Sequence, residues 1–151
     1  MYLGAKLQKT RLHNGVWAWA MSSTKYVQEA VRNCAVHLSP NYGGKYRMPK
    51  KAENPFKMGY DPELDISPEL DPDAASYYLT VVGILRWMIE LGRIDIITKV
   101  LLLSSHVALP KEGHLEAAMH VMDHVGEKYI SRLVYDLSYP EIDQSSFKKC
   151  D

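Results

Sequence analysis

The sequence predicts an α+β domain, mainly α: an N-terminal β-hairpin, about four helices with a long irregular connection among them, and a short C-terminal strand. Three observations predict it. Residues 77–109 hold two helical apolar patterns joined at Gly92-Arg93, the densest apolar stretch of the chain. Asn14-Gly15 separates two β-prone runs, and that dipeptide suits the positive φ angles of a tight hairpin turn. Residues 40–73 show no sustained period and carry Gly43-Gly44 and six prolines: Pro40, Pro49, Pro55, Pro62, Pro68 and Pro72.

The elements follow in order. Residues 2–7 alternate apolar with small or polar side chains before the chain turns polar at 8–11, and 16–21 form the second β-prone run. An isolated hairpin is marginal in water, so more sheet is expected beside it, and a hairpin that opens the chain unpartnered suggests a start in mid-fold. Ser22 or Ser23 is expected to cap a helix whose stripe is Val27, Ala30, Val31, Cys34, Ala35 and Leu38. Ser39-Pro40 should end it, because proline disfavours helical geometry in the residue before it. The connection is expected to be extended and pinned by Phe56, Leu64 and Leu70. Asp73 would cap a helix over about 74–91, with Tyr77, Val81, Ile84, Leu85, Met88 and Leu91 inward and Gly92 as its C-terminal glycine. Gly83, inside that helix, suits the close approach of another helix. Asp95 would cap a third helix to about Ala108, apolar nearly all round and therefore central, with Leu101 buried. A fourth helix over about 111–125 turns Leu115, Ala118, Met119, Met122 and Val125 inward, and 132–137 reads as a strand. These elements divide the chain into a hairpin (1–21), a helix (22–39), a charged connection (40–73), a helical core with its terminal strand (74–137) and a polar tail (138–151).

Composition narrows the function classes. The hydrophobic share is 46%, ordinary for a globular chain, and 18 basic residues balance 18 acidic ones. The balance conceals a separation: 41–57 hold Lys45, Arg47, Lys50, Lys51 and Lys57 against Glu53 alone, whereas 61–73 hold six acids and no base. Cys34 and Cys150 make no disulfide framework, so a reduced, cytoplasmic setting is expected. No signal peptide and no apolar run of membrane-spanning length is visible, and no membrane partner is expected.

Few constellations carry chemistry. Glu116, His120 and His124 stand at four-residue steps near His114 and Asp123, but without the HExxH pattern; they read as a solvated helix face rather than a metal site. The acidic stretch 61–73 lacks the alternating donors and central glycine of a calcium loop. No nucleophile elbow, phosphate loop or dinucleotide fingerprint occurs. No Asp-Asp occurs, whereas two-metal phosphoryl transfer of the polymerase kind needs adjacent or nearly adjacent carboxylates. No catalytic residue and no metal ligand is therefore assigned. The basic run interleaves Tyr42 and Tyr46 with Lys45, Arg47, Lys50 and Lys51, charge for phosphates and aromatic faces for bases. Lys25 and Arg32, two helical turns apart, share the face opposite the apolar stripe.

Six motifs in one order carry a resemblance: Tyr2-Leu3-Gly4-Ala5; Ser22-Ser23-x-Lys25-Tyr26-Val27; Tyr78-x-x-x-Val82-Gly83-x-Leu85-Arg86-Trp87; Gly92-Arg93-Ile94-Asp95-Ile96; Leu103-Ser104-Ser105; and Pro110-x-x-Gly113-His114-Leu115-Glu116-Ala117-Ala118. Over about residues 1–137 the chain resembles the polyprotein of copia-type retrotransposons, downstream of the polymerase active site and upstream of the ribonuclease H domain. The resemblance implies an RNA-directed DNA polymerase as parent, with its Tyr-x-Asp-Asp turn and its ribonuclease H carboxylates outside this chain. Magnesium is implied for the parent and no cofactor for this part. The hairpin would be the end of the palm, the first helix the thumb, and the later helices the connection. One departure is Ile94, where the family often has proline. The implied function is a non-catalytic thumb and connection, holding RNA–DNA or DNA duplex weakly through Lys25, Arg32, Lys45, Arg47, Lys50 and Lys51. Its partners would be the rest of the reverse transcriptase and the ribonuclease H domain. The alternative is a free-standing helical module that binds protein or nucleic acid.

Overall fold

The computed structural model describes residues 4–41 and 52–136. The fold is α+β, mainly α. Strands β1 (Lys6–Arg11) and β2 (Trp17–Ser22) form the hairpin, helix α1 (Thr24–Asn41) follows, and α2 (Pro72–Glu90), α3 (Ile97–Ser104) and α4 (Glu112–Glu127) lead to β3 (Leu133–Tyr135). Short 3-10 turns at Pro62–Leu64 and Ile94–Ile96 precede α2 and α3. Among the described residues no helix is long and apolar enough to cross a membrane.

The hairpin turns where Asn14-Gly15 predicts, with Gly15 at φ 82°, a region costly for a residue with a Cβ. Its missing sheet partner lies within the chain: β2 pairs antiparallel with both β1 and β3, in the order β1-β2-β3. Register places Trp19 between Lys9 and Tyr135, and Trp17 beside Arg11. Side chains alternate across a strand, so Ala18 and Ala20 are buried while Trp17 and Trp19 stand on the opposite face.

Helix α1 buries Val27, Ala30 and Cys34 on one stripe, whereas Ala35 is exposed. Among the described residues the buried Ser23 hydroxyl finds no hydrogen-bond partner, and the Ser22 hydroxyl bonds the Thr24 hydroxyl and the Ser131 carbonyl, so neither serine side chain makes the expected capping bond. The helix runs past Ser39-Pro40 to Asn41, so the proline does not end it where the sequence predicts. The remainder of the basic run, 42–51, and the tail beyond 136 lie outside the described residues.

Helix α2 begins earlier than predicted. Asp71, not Asp73, is its cap, accepting from the Asp73 and Ala74 N–H groups at 3.0 and 2.9 Å with Pro72 in the first turn. Its core stripe is Ala74, Tyr78, Val81, Val82, Leu85 and Met88, and the Tyr78 hydroxyl donates to the Leu103 carbonyl at 2.6 Å. Gly92, at φ 100°, closes it with Gly92 N–H to Ile89 O at 2.9 Å and Arg93 N–H to Met88 O at 3.0 Å. No neighbour approaches Gly83, so the close helix expected there is not seen among the described residues.

Asp95 does not cap α3. It lies in the 3-10 turn and takes a bidentate bond from Arg93 (2.8 and 2.7 Å), whose guanidinium is almost wholly buried and also donates to the Lys128 carbonyl at 3.1 Å. Nor is α3 central: Ile97 and Leu101 are exposed, leaving Val100 and Leu103 buried. The central helix is α4, packed against α1, α2 and α3, with Leu115, Ala117, Ala118, Met119, Val121, Met122 and Val125 buried.

The fourth side of α4 is covered by residues 52–70, a strap laid along it. Three imidazoles fasten the strap by its carbonyls: His124 Nδ1 to Ala52 O (2.9 Å), His120 Nε2 to Asn54 O (3.0 Å) and His114 Nε2 to Pro62 O (3.0 Å). The helix face expected to be solvated is therefore buried at all three histidines, because the connection returns over it. Phe56 is buried and Leu70 packs against the core as expected, but Leu64 is exposed and pins nothing.

Candidate nucleic-acid interface

Helical geometry sets Lys25, Gln28, Glu29 and Arg32 on the solvent side of α1, because Val27, Ala30 and Cys34 take the inward side. The four line an open depression of about 380 Å³. Lys25 and Arg32 thus share a face, with Glu29 between them to reduce the local positive charge. Lys45, Arg47, Lys50 and Lys51 belong to the stretch outside the described residues, so the structure brings together two of the six predicted contacts.

Three of the six acids of the stretch, Asp61, Asp65 and Asp71, are tied into local structure. Asp61 accepts from the Glu63 N–H at 3.1 Å and Asp71 caps α2. Asp65 accepts from the Tyr60 hydroxyl (2.7 Å) and the Ser67 N–H (2.8 Å). Burial pushes the Asp65 carboxyl upward in pKa, but the bonds from Ser67 and Tyr60 outweigh it and hold the group below its ordinary value. Burial, and then the bond to Asp65, raise the Tyr60 phenol well above its usual range.

Among the described residues no group of three or more His, Cys, Asp and Glu side chains is placed to hold a metal ion. The buried histidines direct one nitrogen each at a backbone carbonyl, and the aspartates above accept from N–H and O–H donors. A recess lined by Lys57, Tyr60, Gly113, Glu116 and Ala117 has a volume of about 40 Å³, room for roughly a water molecule but not for a nucleotide.

A second surface escaped the sequence reading. The sheet face opposite Ala18 and Ala20 presents Trp17 (64% exposed), Trp19 (53%) and Tyr135 (47%), with Lys9 and Arg11 on the neighbouring strand. The Lys9 ammonium lies 5.5 Å from the centre of the Trp19 ring. The legible signal is Trp-Ala-Trp-Ala at 17–20: two small residues at the buried parity leave two indoles at the exposed one.

Residues of three of the six motifs, Gly4, Tyr26 and Gly92, lie at the joint between sheet and helices. A Cβ at Gly4 would sit 3.2 Å from the Tyr26 ring and 3.4 Å from Leu91, and one at Gly92 would sit 3.3 Å from Leu133 and 3.4 Å from Met21. Comparison with protein-family models, with curated proteins and with solved structures gave no match.

Proposed function

We propose that this chain is a non-catalytic part of a copia-type reverse transcriptase, the end of the palm with thumb and connection, acting in the cytoplasm to help hold a primer–template duplex. The observation that carries the reading is the joint: motifs far apart in sequence, around Gly4, Tyr26 and Gly92, converge in space, each glycine standing where a side chain would crowd its neighbour. A family pattern that marks one architecture should converge in this way. Duplex contact falls to Lys25 and Arg32 on α1, continued by Lys45, Arg47, Lys50 and Lys51. Such contacts hold phosphates and ignore base identity. The chain is expected to lack polymerase activity, since the sequence holds no adjacent Asp-Asp pair, and Asp71 and Asp73 stand at a helix start rather than a strand turn.

Fluorescence anisotropy with an RNA–DNA duplex at two salt concentrations tests the reading. The native chain should bind weakly, with affinity falling steeply as salt rises. Replacing Lys25, Arg32, Lys45, Arg47, Lys50 and Lys51 by alanine should reduce affinity and flatten the salt dependence. An unchanged slope would remove the duplex-holding role. The alternative, a free-standing helical module that binds protein or nucleic acid, does not require duplex affinity to reside in these six bases.

A further inference from the structure

We infer that the open face of the sheet is a stacking platform for an unpaired nucleic-acid strand, a surface separate from the α1 duplex face. The inference stands on the face itself and holds whether or not the chain derives from a polymerase. Trp17 and Trp19 project on the same side of β2, about 6.8 Å apart along the strand, so each can take its own base. Both are more than half exposed, and Tyr135 extends the row from Trp19 onto β3.

Charge complements the aromatics. Register sets Arg11 directly across from Trp17 and Lys9 directly across from Trp19, so each indole has a cation beside it. The Arg11 side chain is held over the turn by a bond from its Nε to the Gly15 carbonyl at 3.1 Å, which keeps the guanidinium at the Trp17 end. No acid occupies the strand positions that share this face, since Leu7, Met21 and Leu133 complete it. The row of cations and the lack of an acid favour a polyanion, and the exposed rings favour one that carries bases. Indoles with cations opposite them in register match alternating bases and phosphates.

Unpaired strands are preferred for a steric reason. In a duplex the base faces are covered by their neighbours, whereas an unpaired strand can splay its bases onto indoles, and every base has a face to offer. Binding should therefore tolerate sequence. It should depend on salt less steeply than the duplex contact, with two cations at work rather than six.

The test titrates the full chain with a 15-nucleotide oligothymidylate and with an RNA–DNA duplex, reading tryptophan fluorescence and anisotropy. The inference expects quenching by oligothymidylate, and a loss of affinity of about tenfold or more in Trp17→Ala/Trp19→Ala. Trp17→Phe/Trp19→Phe should recover most of it, since phenyl rings also stack. Duplex affinity should stay unchanged in both variants, which separates this face from α1. Circular dichroism should match the native spectrum, as both indoles are exposed. Equal oligothymidylate affinity in the alanine variant overturns the inference, as does equal binding of inorganic polyphosphate, which offers charge without bases. Sedimentation that finds a native dimer dissociated by the alanine variant also overturns it, since a second copy of the chain would then cover the face.

Discussion

His114 has its tautomer set by its partners. Its Nδ1 accepts from the Lys111 N–H at 3.1 Å, so Nε2 carries the hydrogen that it donates to the Pro62 carbonyl. The His106 ring stacks on His114 with centroids 4.3 Å apart, and burial, then the neighbouring His114, depress its pKa despite Glu63 and Asp65 nearby. Burial likewise depresses His120, among Asn54, Lys57, Asp123 and His124. A histidine depressed in the fold takes up more protons when unfolded. Its penalty is absent well above the ordinary value of 6.5 and grows as pH falls through it toward the folded pKa. The urea midpoint should therefore be lower at pH 5.5 than at pH 7.5, two values chosen on either side of about 6.5. His106→Gln/His120→Gln should narrow that difference; equal differences in variant and native chain would show that other groups set it. The sequence displayed these histidines at helical spacing but not their burial, because the carbonyls that they meet lie 52 to 72 residues away.

At the scale of elements, the helices were legible and their neighbours were not. Period and terminal glycine located α2 and its close at Gly92, since both are local properties. Asp71 and Asp73 each make a plausible cap in sequence, and Pro72 decides between them by occupying the first turn. The apolar composition of α3 suggested a central helix, yet α4 holds that place because the strap covers its remaining side. Gly113 marks how closely strap and helix lie: its N–H donates to the Ser67 hydroxyl at 2.8 Å, and a Cβ there would run into the Asp65 carboxylate. The two leucines expected to be buried therefore part company. Leu85→Ala should cost about 2–5 kcal/mol through lost burial and a residual cavity. Leu101, 56% exposed, should lose less than about 1 kcal/mol on the same change. Paired urea denaturation curves check both, and a larger loss at Leu101 would show that its surface is covered in solution.

For the whole molecule, the sheet joins residues from the two ends of the described chain. The Ser22 hydroxyl donates to the Ser131 carbonyl at 3.1 Å across a sequence separation of 109, and β3 pairs with β2 beside it. The hairpin and the α2–α3–α4 run can assemble from contacts nearer in sequence, whereas β3 on β2, like α4 on α1, must close a loop that spans most of the described chain. Loop-closure entropy rises by about 0.6 kcal/mol for each doubling of length, so these contacts are the least favoured early in folding, and β3, only three residues long, has the least burial to offset it. The strand is thus a latch that sets how long the folded chain lasts rather than how quickly it forms. Val134, opposite Ala20, is its middle residue. In stopped-flow measurements Val134→Ala should speed unfolding and leave the refolding rate nearly unchanged. A matching fall in the refolding rate would put the latch in the nucleus instead. By this topology, a sheet face that presents two tryptophans from the first strands of the chain endures only as long as the three residues of its last strand remain in place.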